Sequence, residues 1–349
     1  MRRSSIIIII IGVIIVSLVI FLILNKFVVP IPKNIRRETT LPETNYSFDV
    51  DVVVTWVDAS DQHWIDEKNK YLEEDNRMID ARPNHRYNTY EQEPDLELCL
   101  CLRLILKHLP WVRTIHVVTS RPQIPDCLRE GGILQDYTDK IRIVYHDEIY
   151  KDTQSLPVFN SVSIETQLHR IPSLSEQYIY FNDDFMVAKP LPKSWFFTSD
   201  KQPVVSAARW VRVNVLDTLF GGVHHHLQLN NARIFGKIVE PMHSPQSMTK
   251  TIMNRCEETY PDLFDNTMKS KFKSSTDLFP MQFALTESLY HGDSVFIDKD
   301  DYPIKNKFSR GKRRDTAKIK DYHTICINDA SLDTQQSLKS AVNQLLLET

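Results

Sequence analysis

Asp51-Val52-Val53-Val54-Thr55-Trp56-Val57-Asp58-Ala59-Ser60-Asp61 carries four β-branched residues in a row and then a polar turn. The apolar run reads as a buried strand, and the aspartates after it mark where a turn or a helix begins. The same pattern recurs downstream. Thr114-Ile115-His116-Val117-Val118-Thr119 is a second strand, and Ile141-Arg142-Ile143-Val144-Tyr145 a third, ending at His146-Asp147-Glu148. Tyr178-Ile179-Tyr180-Phe181 ends in Asn182-Asp183-Asp184. Helices fall between these strands. One opens at Pro94-Asp95, keeps Leu98, Leu102 and Leu106 on one face, and stops after His108 before Pro110. Another is expected from Asn160 to Arg170, capped by Asn160 or Ser161. Residues 247–291 read as mainly helical, Ser294–Ile297 and His323–Ile327 as short strands, and Thr334–Leu347 as a closing amphipathic helix. Alternation of this kind predicts an α/β fold with a mixed, largely parallel central sheet and flanking helices, Rossmann-like in plan.

The 349 residues are 42% hydrophobic and 25% charged, with only 8 glycines, so collagen-like and disordered readings fail. Formal net charge is −3, but the first 40 residues hold six bases and one acid. The rest therefore has 36 bases against 44 acids. An acidic body lacks the basic face that nucleic acid requires, so no nucleic-acid partner is expected. Ile6 to Leu24 is an uncharged stretch interrupted only by Gly12 and Ser17. At about 1.5 Å per residue it spans one hydrocarbon core, and the sequence after it offers no small-residue cleavage site. Residues 1–24 are thus expected to be a short tail and an uncleaved single-pass membrane anchor. Residues 25–47 are expected to form a stem, and residues 48–349 the body. Bases flank both ends of the span, so charge does not orient it. Asn45-Tyr46-Ser47, a glycosylation sequon, suits a type II arrangement with a lumenal body in the Golgi or ER. Of the five cysteines, Cys99 and Cys101 lie two apart on a helix and face different ways, so they do not pair with each other.

Three acidic clusters follow apolar strands: Trp56-Val57-Asp58, His146-Asp147-Glu148 and Asn182-Asp183-Asp184. Open α/β sheets bind ligands beyond the carboxyl ends of their strands. Convergence of these ends makes a hard, oxygen-rich site suited to Mg²⁺ or Mn²⁺ completed by phosphate. The competing reading has each aspartate simply capping a turn. Asn182-Asp183-Asp184 exceeds what one cap needs, and Asp183 and Asp184 are the expected metal ligands. His243, in the proline-bracketed Pro241-Met242-His243-Ser244-Pro245, is a candidate general base near neutral pH. His224-His225-His226 cannot readily aim at one ion. The run from Lys305 to Lys320, with eight Lys/Arg and one Asp, reads as a solvated loop.

The order of these motifs resembles the Stealth family of sugar-1-phosphate transferases, which includes bacterial capsule polysaccharide phosphotransferases and the N-acetylglucosamine-1-phosphotransferase catalytic subunit. The first matching block is Thr55–Asp61. The second holds Glu97-Leu98, Leu102-Arg103, Pro110–Arg113, Gln123-Ile124-Pro125, Leu156–Ser161, Ile164-Glu165, Leu168–Pro172 and Tyr180–Asp184. The third holds Phe235-Gly236, His243, Phe272-Lys273-Ser274 and Asp277. The fourth is Cys326-Ile327-Asn328-Asp329. Ala59 stands where the family has Gly, Cys127 where it has Trp, and Lys273 where it has Arg. The last matters most, because lysine cannot make the bidentate phosphate fork of arginine.

The resemblance implies a GT-A-like fold, a nucleotide-sugar donor and a glycan acceptor. A hexose-1-phosphate, such as N-acetylglucosamine-1-phosphate, would pass to an acceptor hydroxyl with loss of a nucleoside monophosphate. It assigns the catalytic set His243, Asp183, Asp184, Asn182 and Lys273. Trp56, Asp58, Asp61, Arg103, Asn160, Ser161, Glu165, Asp277, Asn328 and Asp329 would bind substrate. A homodimer is compatible with it. Two other functions share these features: a Golgi-type metal-dependent glycosyltransferase, and a non-catalytic membrane-tethered sugar-binding module.

Overall fold

The computed structural model describes residues 27–37, 46–74, 96–213, 222–298, 305–309, 318–327 and 332–347. The opening stretch forms β2 (Val50–Thr55), preceded by a two-residue strand, β1 (Phe27–Val28). Then follow α1 (Gln62–Glu74), α2 (Leu96–His108), β3 (Ile115–Thr119) and β4 (Ile141–Tyr145). Two short helices, α3 (His146–Ile149) and α4 (Ser161–Glu165), lead to β5 (Gln177–Asn182) and β6 (Phe185–Val187). The second half contains β7 (Val204–Arg212), α5 (Val223–Phe235), β8 (Ile238–Pro241), β9 (Gln246–Thr249), α6 (Lys250–Thr259), α7 (Pro261–Met268) and α8 (Pro280–His291). It ends with β10 (Val295–Asp298), β11 (Asn306–Ser309), β12 (Thr324–Ile327) and α9 (Leu332–Leu347).

The central sheet runs β4-β3-β2-β5-β9. Its first four strands are parallel, and β9 closes the edge antiparallel to β5. The alternation of β2 explains its burial on both sides. Val52 and Val54 face a core shared with Leu98, Leu102 and Ile105 of α2, whereas Val53 faces Tyr178 and Tyr180, Ile252 of α6 and Phe283 of α8. A strand covered on both faces must be apolar throughout. The mixed, largely parallel sheet is therefore as expected. Two smaller sheets flank it: β1-β7-β10 with β8 on β7, and β11-β12-β6.

Several expectations need correction. The helix from Asn160 is only α4, because the Thr166 hydroxyl turns back on the Ser163 carbonyl (2.6 Å) and a 3-10 turn, Leu168–Arg170, follows. Residues 247–291 start as strand β9, where Ser247 and Met248 pair with Ile179 and Tyr178. The segment expected as a stem is partly laid on the body: Phe27 pairs with Arg212, Val29 N–H donates to Trp210 O (3.0 Å), and Ile35 is buried. The packed structure thus begins well before Phe48. The expected span at residues 6–24 lies outside the described residues. Among the described residues no helix is long and apolar enough to cross a membrane.

Candidate active site

Parallel strands put the ends of β2 and β5 side by side, with Thr55 opposite Asn182. Asp183 and Asp184 form the two-residue turn between β5 and β6, so the chain leaves the central sheet at the aspartates and joins β12. Here two adjacent carboxylates share one turn. Burial and the neighbouring charge of Asp184 push Asp183 up to about 7. Asp184 is buried, and its Oδ2 accepts from the Cys326 thiol (3.1 Å) while its carbonyl accepts from Ile327 N–H (3.1 Å). Cys101 of α2 and Glu97, one helical turn earlier, complete the wall. Burial followed by the Asp183 and Asp184 charges raises the Cys101 thiol, and Glu97 contributes to the rise at Cys326.

Next to the turn, the buried Tyr180 hydroxyl is a hub, donating to Asn182 Oδ1 (2.8 Å) and lying 3.2 Å from Thr55 Oγ1 and 3.3 Å from Glu165 Oε1. Glu165 Oε2 is buried with no hydrogen-bond partner among the described residues. Burial raises Glu165 to about 7, opposed by the positive charge of Lys273, the Met281 N–H and the Tyr180 hydroxyl. Lys273 therefore stands at the same site as the strand ends. His243 reaches this edge by another route. It is exposed in the loop between β8 and β9, three residues before Gln246, which pairs with Tyr180.

Other expected ligands are scaffold. Asn160 is buried and commits all three of its side-chain contacts internally. Its Oδ1 accepts from Val162 N–H (3.3 Å), capping α4, while Nδ2 donates to Ser270 O (3.0 Å) and Asp277 Oδ2 (3.1 Å). Asp277 also accepts from Ser270 Oγ (2.6 Å) and Ser274 N–H (2.7 Å). Together they pin both ends of the loop that carries Lys273, so they position rather than bind. Asn230 of α5 clamps the same loop through the Ser275 and Asp277 carbonyls, both at 2.9 Å. Phe272 stacks on Phe159, which in turn meets Trp64 of α1.

Asp58 shapes its own turn, accepting from Ser60 N–H (2.9 Å) and Oγ (2.6 Å), and Asp61 starts α1 by accepting from His63 N–H (3.0 Å). Gln123 bolts this turn to β3, donating to Asp58 O (2.9 Å) and Asp61 Oδ2 (3.1 Å). Trp56 is buried in the core beneath it. Arg103 is not at the site: it donates to Asn343 Oδ1 (2.8 Å) and ties α2 to α9. The third acidic end does not converge either. Asp147 and Glu148 take the Arg121 guanidinium at 3.0 and 3.2 Å on the outer edge, and Glu148 caps Tyr145 N–H. Ser161 is exposed at the start of α4, and Asn328 and Asp329 lie outside the described residues.

Among the described residues no group of three His, Cys, Asp or Glu converges to hold a metal by protein ligands alone. The donor set at the turn is two adjacent carboxylates, Asp183 and Asp184. That suits a hard cation which binds through one or two carboxylates and takes the rest of its shell from substrate phosphates and water.

Tyr180, Gln123, Glu97, Cys101 and Asn230 were not marked as site residues by sequence reasoning. Only Cys101 and Asn230 lacked any signal there, since the other three sit inside the matching blocks.

Residues 48–75 match the Stealth protein conserved region 1 and residues 91–205 the Stealth protein conserved region 2. The capsular polysaccharide phosphotransferase fcs1 of Haemophilus influenzae is 32% identical over 82% of this chain and 80% of its own length. The capsular polysaccharide phosphotransferase SacB of Neisseria meningitidis serogroup A is 31% identical over 86% of this chain. The exopolysaccharide phosphotransferase SCO2594 of Streptomyces coelicolor is 30% identical over 82% of it. The chain spans only 55% and 47% of the lengths of these last two. The solved galactosyltransferase LgtC aligns with a TM-score of 0.42 at 11% identity, over 85% of this chain and 95% of that one.

Proposed function

From the premise that the chain belongs to the Stealth family of phosphotransferases and is an enzyme, we propose that it transfers a hexose-1-phosphate from a nucleotide-diphosphate sugar to a glycan hydroxyl. The observation that carries the reading is the gathering of three carboxyls, Asp183, Asp184 and Glu165, two of them raised to about 7, with Lys273 at the carboxyl edge of β2 and β5.

The acceptor oxygen attacks the phosphorus nearest the donor sugar. A new P–O bond forms, the P–O bond to the nucleoside phosphate breaks, and the nucleoside monophosphate departs. In-line transfer of this kind depends on positioning and charge stabilisation. His243 takes the hydroxyl proton as it leaves the acceptor. Lys273 balances charge on the transferred phosphate, held in place by the Asn160–Asp277 and Asn230 clamps. Glu165, which feels the Lys273 charge and whose Oε2 has no hydrogen-bond partner among the described residues, supports a hydrogen bond to a sugar hydroxyl. Mg²⁺ or Mn²⁺ held by Asp183 and Asp184 would neutralise the donor diphosphate.

N-acetylglucosamine is the sugar favoured by the resemblance. Incubating the purified chain with a panel of nucleotide sugars and identifying the released nucleotide tests the reading. A nucleoside monophosphate and a phosphodiester product support it. A nucleoside diphosphate and a glycoside would establish the glycosyltransferase alternative instead, and a bound donor with no turnover the binding module. Residues 6–24 complete the proposal as a type II anchor with a lumenal body, supported by the uncharged run and the Asn45 sequon. Release of the full chain from membranes by alkaline carbonate would refute the anchor.

A further inference from the structure

The expected span ends at Leu24 and β1 begins at Phe27. Three residue steps extend at most about 11 Å, and the headgroup layer is itself about 5–8 Å deep. Phe27 pairs with Arg212 at the end of β7. A chain leaving the bilayer is therefore laid at once on this edge, and the corner around Arg212 is held at the membrane surface.

The chemistry of that corner fits the placement. Val211 pairs with Ile238, so Lys237 lies just before β8 beside the end of β7. The last turn of α5 delivers Arg233 and Ile234 to the same corner, and Gly236 (φ 72°) reverses the chain into β8. Arg212 and Arg233 are exposed, Lys237 is half-buried, and Ile234 is 40% exposed. Among the described residues of β8, the acid Glu240 is taken by Arg209 at 2.5 Å. On a body that is acidic as a whole, this corner carries three cations and an exposed isoleucine: Arg212 ends β7, Lys237 precedes β8, and on α5 Arg233, whose guanidinium also donates to Asn230 Oδ1 (3.1 Å), adjoins Ile234. Basic side chains at headgroup phosphates with an apolar side chain at the acyl boundary are what an interfacial contact requires.

We propose that the corner formed by Arg212, Arg233, Ile234 and Lys237 rests on phospholipid headgroups and fixes the tilt of the body on the membrane. The proposal rests on the anchor reading above. It has a consequence for access. One helical turn, about 5.4 Å, separates Ile234 from Asn230, the residue that clamps the Lys273 loop. The acceptor must then approach close to the membrane.

The test uses the full chain in vesicles of phosphatidylcholine and phosphatidylserine containing a headgroup-linked nitroxide quencher. A fluorophore is attached through Ile234→Cys or, separately, Ile133→Cys. The native free cysteines Cys101, Cys256 and Cys326 are buried, so labelling is selective under native conditions. Ile133 is a control, 65% exposed in the loop before β4, on the sheet edge away from β9. The expected result is strong quenching at 234, little at 133, and loss of most of the quenching at 234 when Arg212→Glu, Arg233→Glu and Lys237→Glu are combined. Equal quenching at both positions, or none at 234 while the chain stays with carbonate-washed vesicles, overturns the docked corner and leaves the anchor standing. Loss of the chain to the carbonate wash removes the anchor and the corner with it.

Discussion

The two ends of β2 treat carboxylates in opposite ways. At the amino end, Asp51 is fully buried. It accepts from Arg113 Nε (2.9 Å) and Nη2 (2.6 Å), from Ser175 N–H (2.7 Å) and from Thr114 N–H (3.1 Å), with His116 Nε2 at 3.2 Å. Burial would raise its pKa, but these partners outweigh burial and hold it well below the usual carboxylate range. At the carboxyl end, Asp183 is half-buried beside the Asp184 charge and Glu165 is buried with Oε2 lacking a hydrogen-bond partner among the described residues, and both rise to about 7. A saturated carboxylate is a bolt. A buried one that lacks partners costs stability, and it persists where a ligand will supply the missing contacts.

The largest effects should separate these ends completely. Asp183→Asn or Asp184→Asn is expected to lower kcat at least about 100-fold, or roughly 2.7 kcal/mol, with little change in thermal unfolding. Asp51→Asn is expected to do the reverse, destabilising by about 3 kcal/mol while the folded fraction keeps its turnover. Assays and melting curves on the same preparations check both. Full activity in chelator would exclude the metal.

Next come Lys273 and His243, the proposed phosphate partner and base. Lys273→Ala should cost on the order of 100-fold in kcat, whereas Lys273→Arg should keep or raise it. His243→Ala should lower kcat more than it raises the donor KM, and flatten the acidic limb of the pH–rate profile. A twofold change or less at His243 removes it as the base.

Two glutamates sharpen the contrast in pH. At Glu257, burial is outweighed by hydrogen bonds from His169, Arg170 and Lys151 and the charge of Arg170, bringing it down to about 2. Its contribution is present above 4.5 and lost as pH falls from 4.5 toward 2. Glu165 has the opposite sign. Held protonated up to about 7, it favours the fold at low pH and opposes it as pH rises from 4.5 to 7. Unfolding midpoints against pH should therefore lose part of their acid-side slope in Glu257→Gln, Asp51 keeping the rest, and part of their neutral-side slope in Glu165→Gln, Asp183 keeping the rest.

The smallest effect concerns the amino-terminal segment. Deleting residues 1–24 should leave the unfolding midpoint of the body unchanged. Deleting residues 1–47 removes β1 and Ile35, 7% exposed in the second core, and should cost about 2 kcal/mol. Equal midpoints would show that the packing of residues 27–37 contributes nothing.

What was legible in the sequence is what depends on neighbours along the chain. The β-branched run at Val52–Thr55, the leucines of α2 and the polar residues that stop β5 fold by local period and propensity, so the parallel core and the Asn182-Asp183-Asp184 turn could be read directly. The cap of α4 was legible to within one residue, Asn160 or Ser161, and Asn160 supplies it. β7 and α5 were not, because their polar residues obscure any period, and they pair or pack with segments far away in sequence: Phe27, Ile238 and Val295 in one case, Ser275 and Phe279 in the other.

Partnership was equally invisible. Asp51 and Asp183 are the same residue type in similar apolar surroundings, and nothing local distinguishes the bolt from the proposed metal ligand. Tertiary structure decides it, by bringing Arg113, His116 and the Ser175 N–H to one, whereas at the other two backbone N–H groups are outweighed by burial and the charge of a second carboxylate. It also decides that Cys99 bonds to Cys127, while Cys101, two residues on, faces the aspartate turn. Sequence sets the chemistry that each strand end carries. Hydrogen-bond saturation depends on three-dimensional neighbours, so only the fold determines which of those groups are left to act.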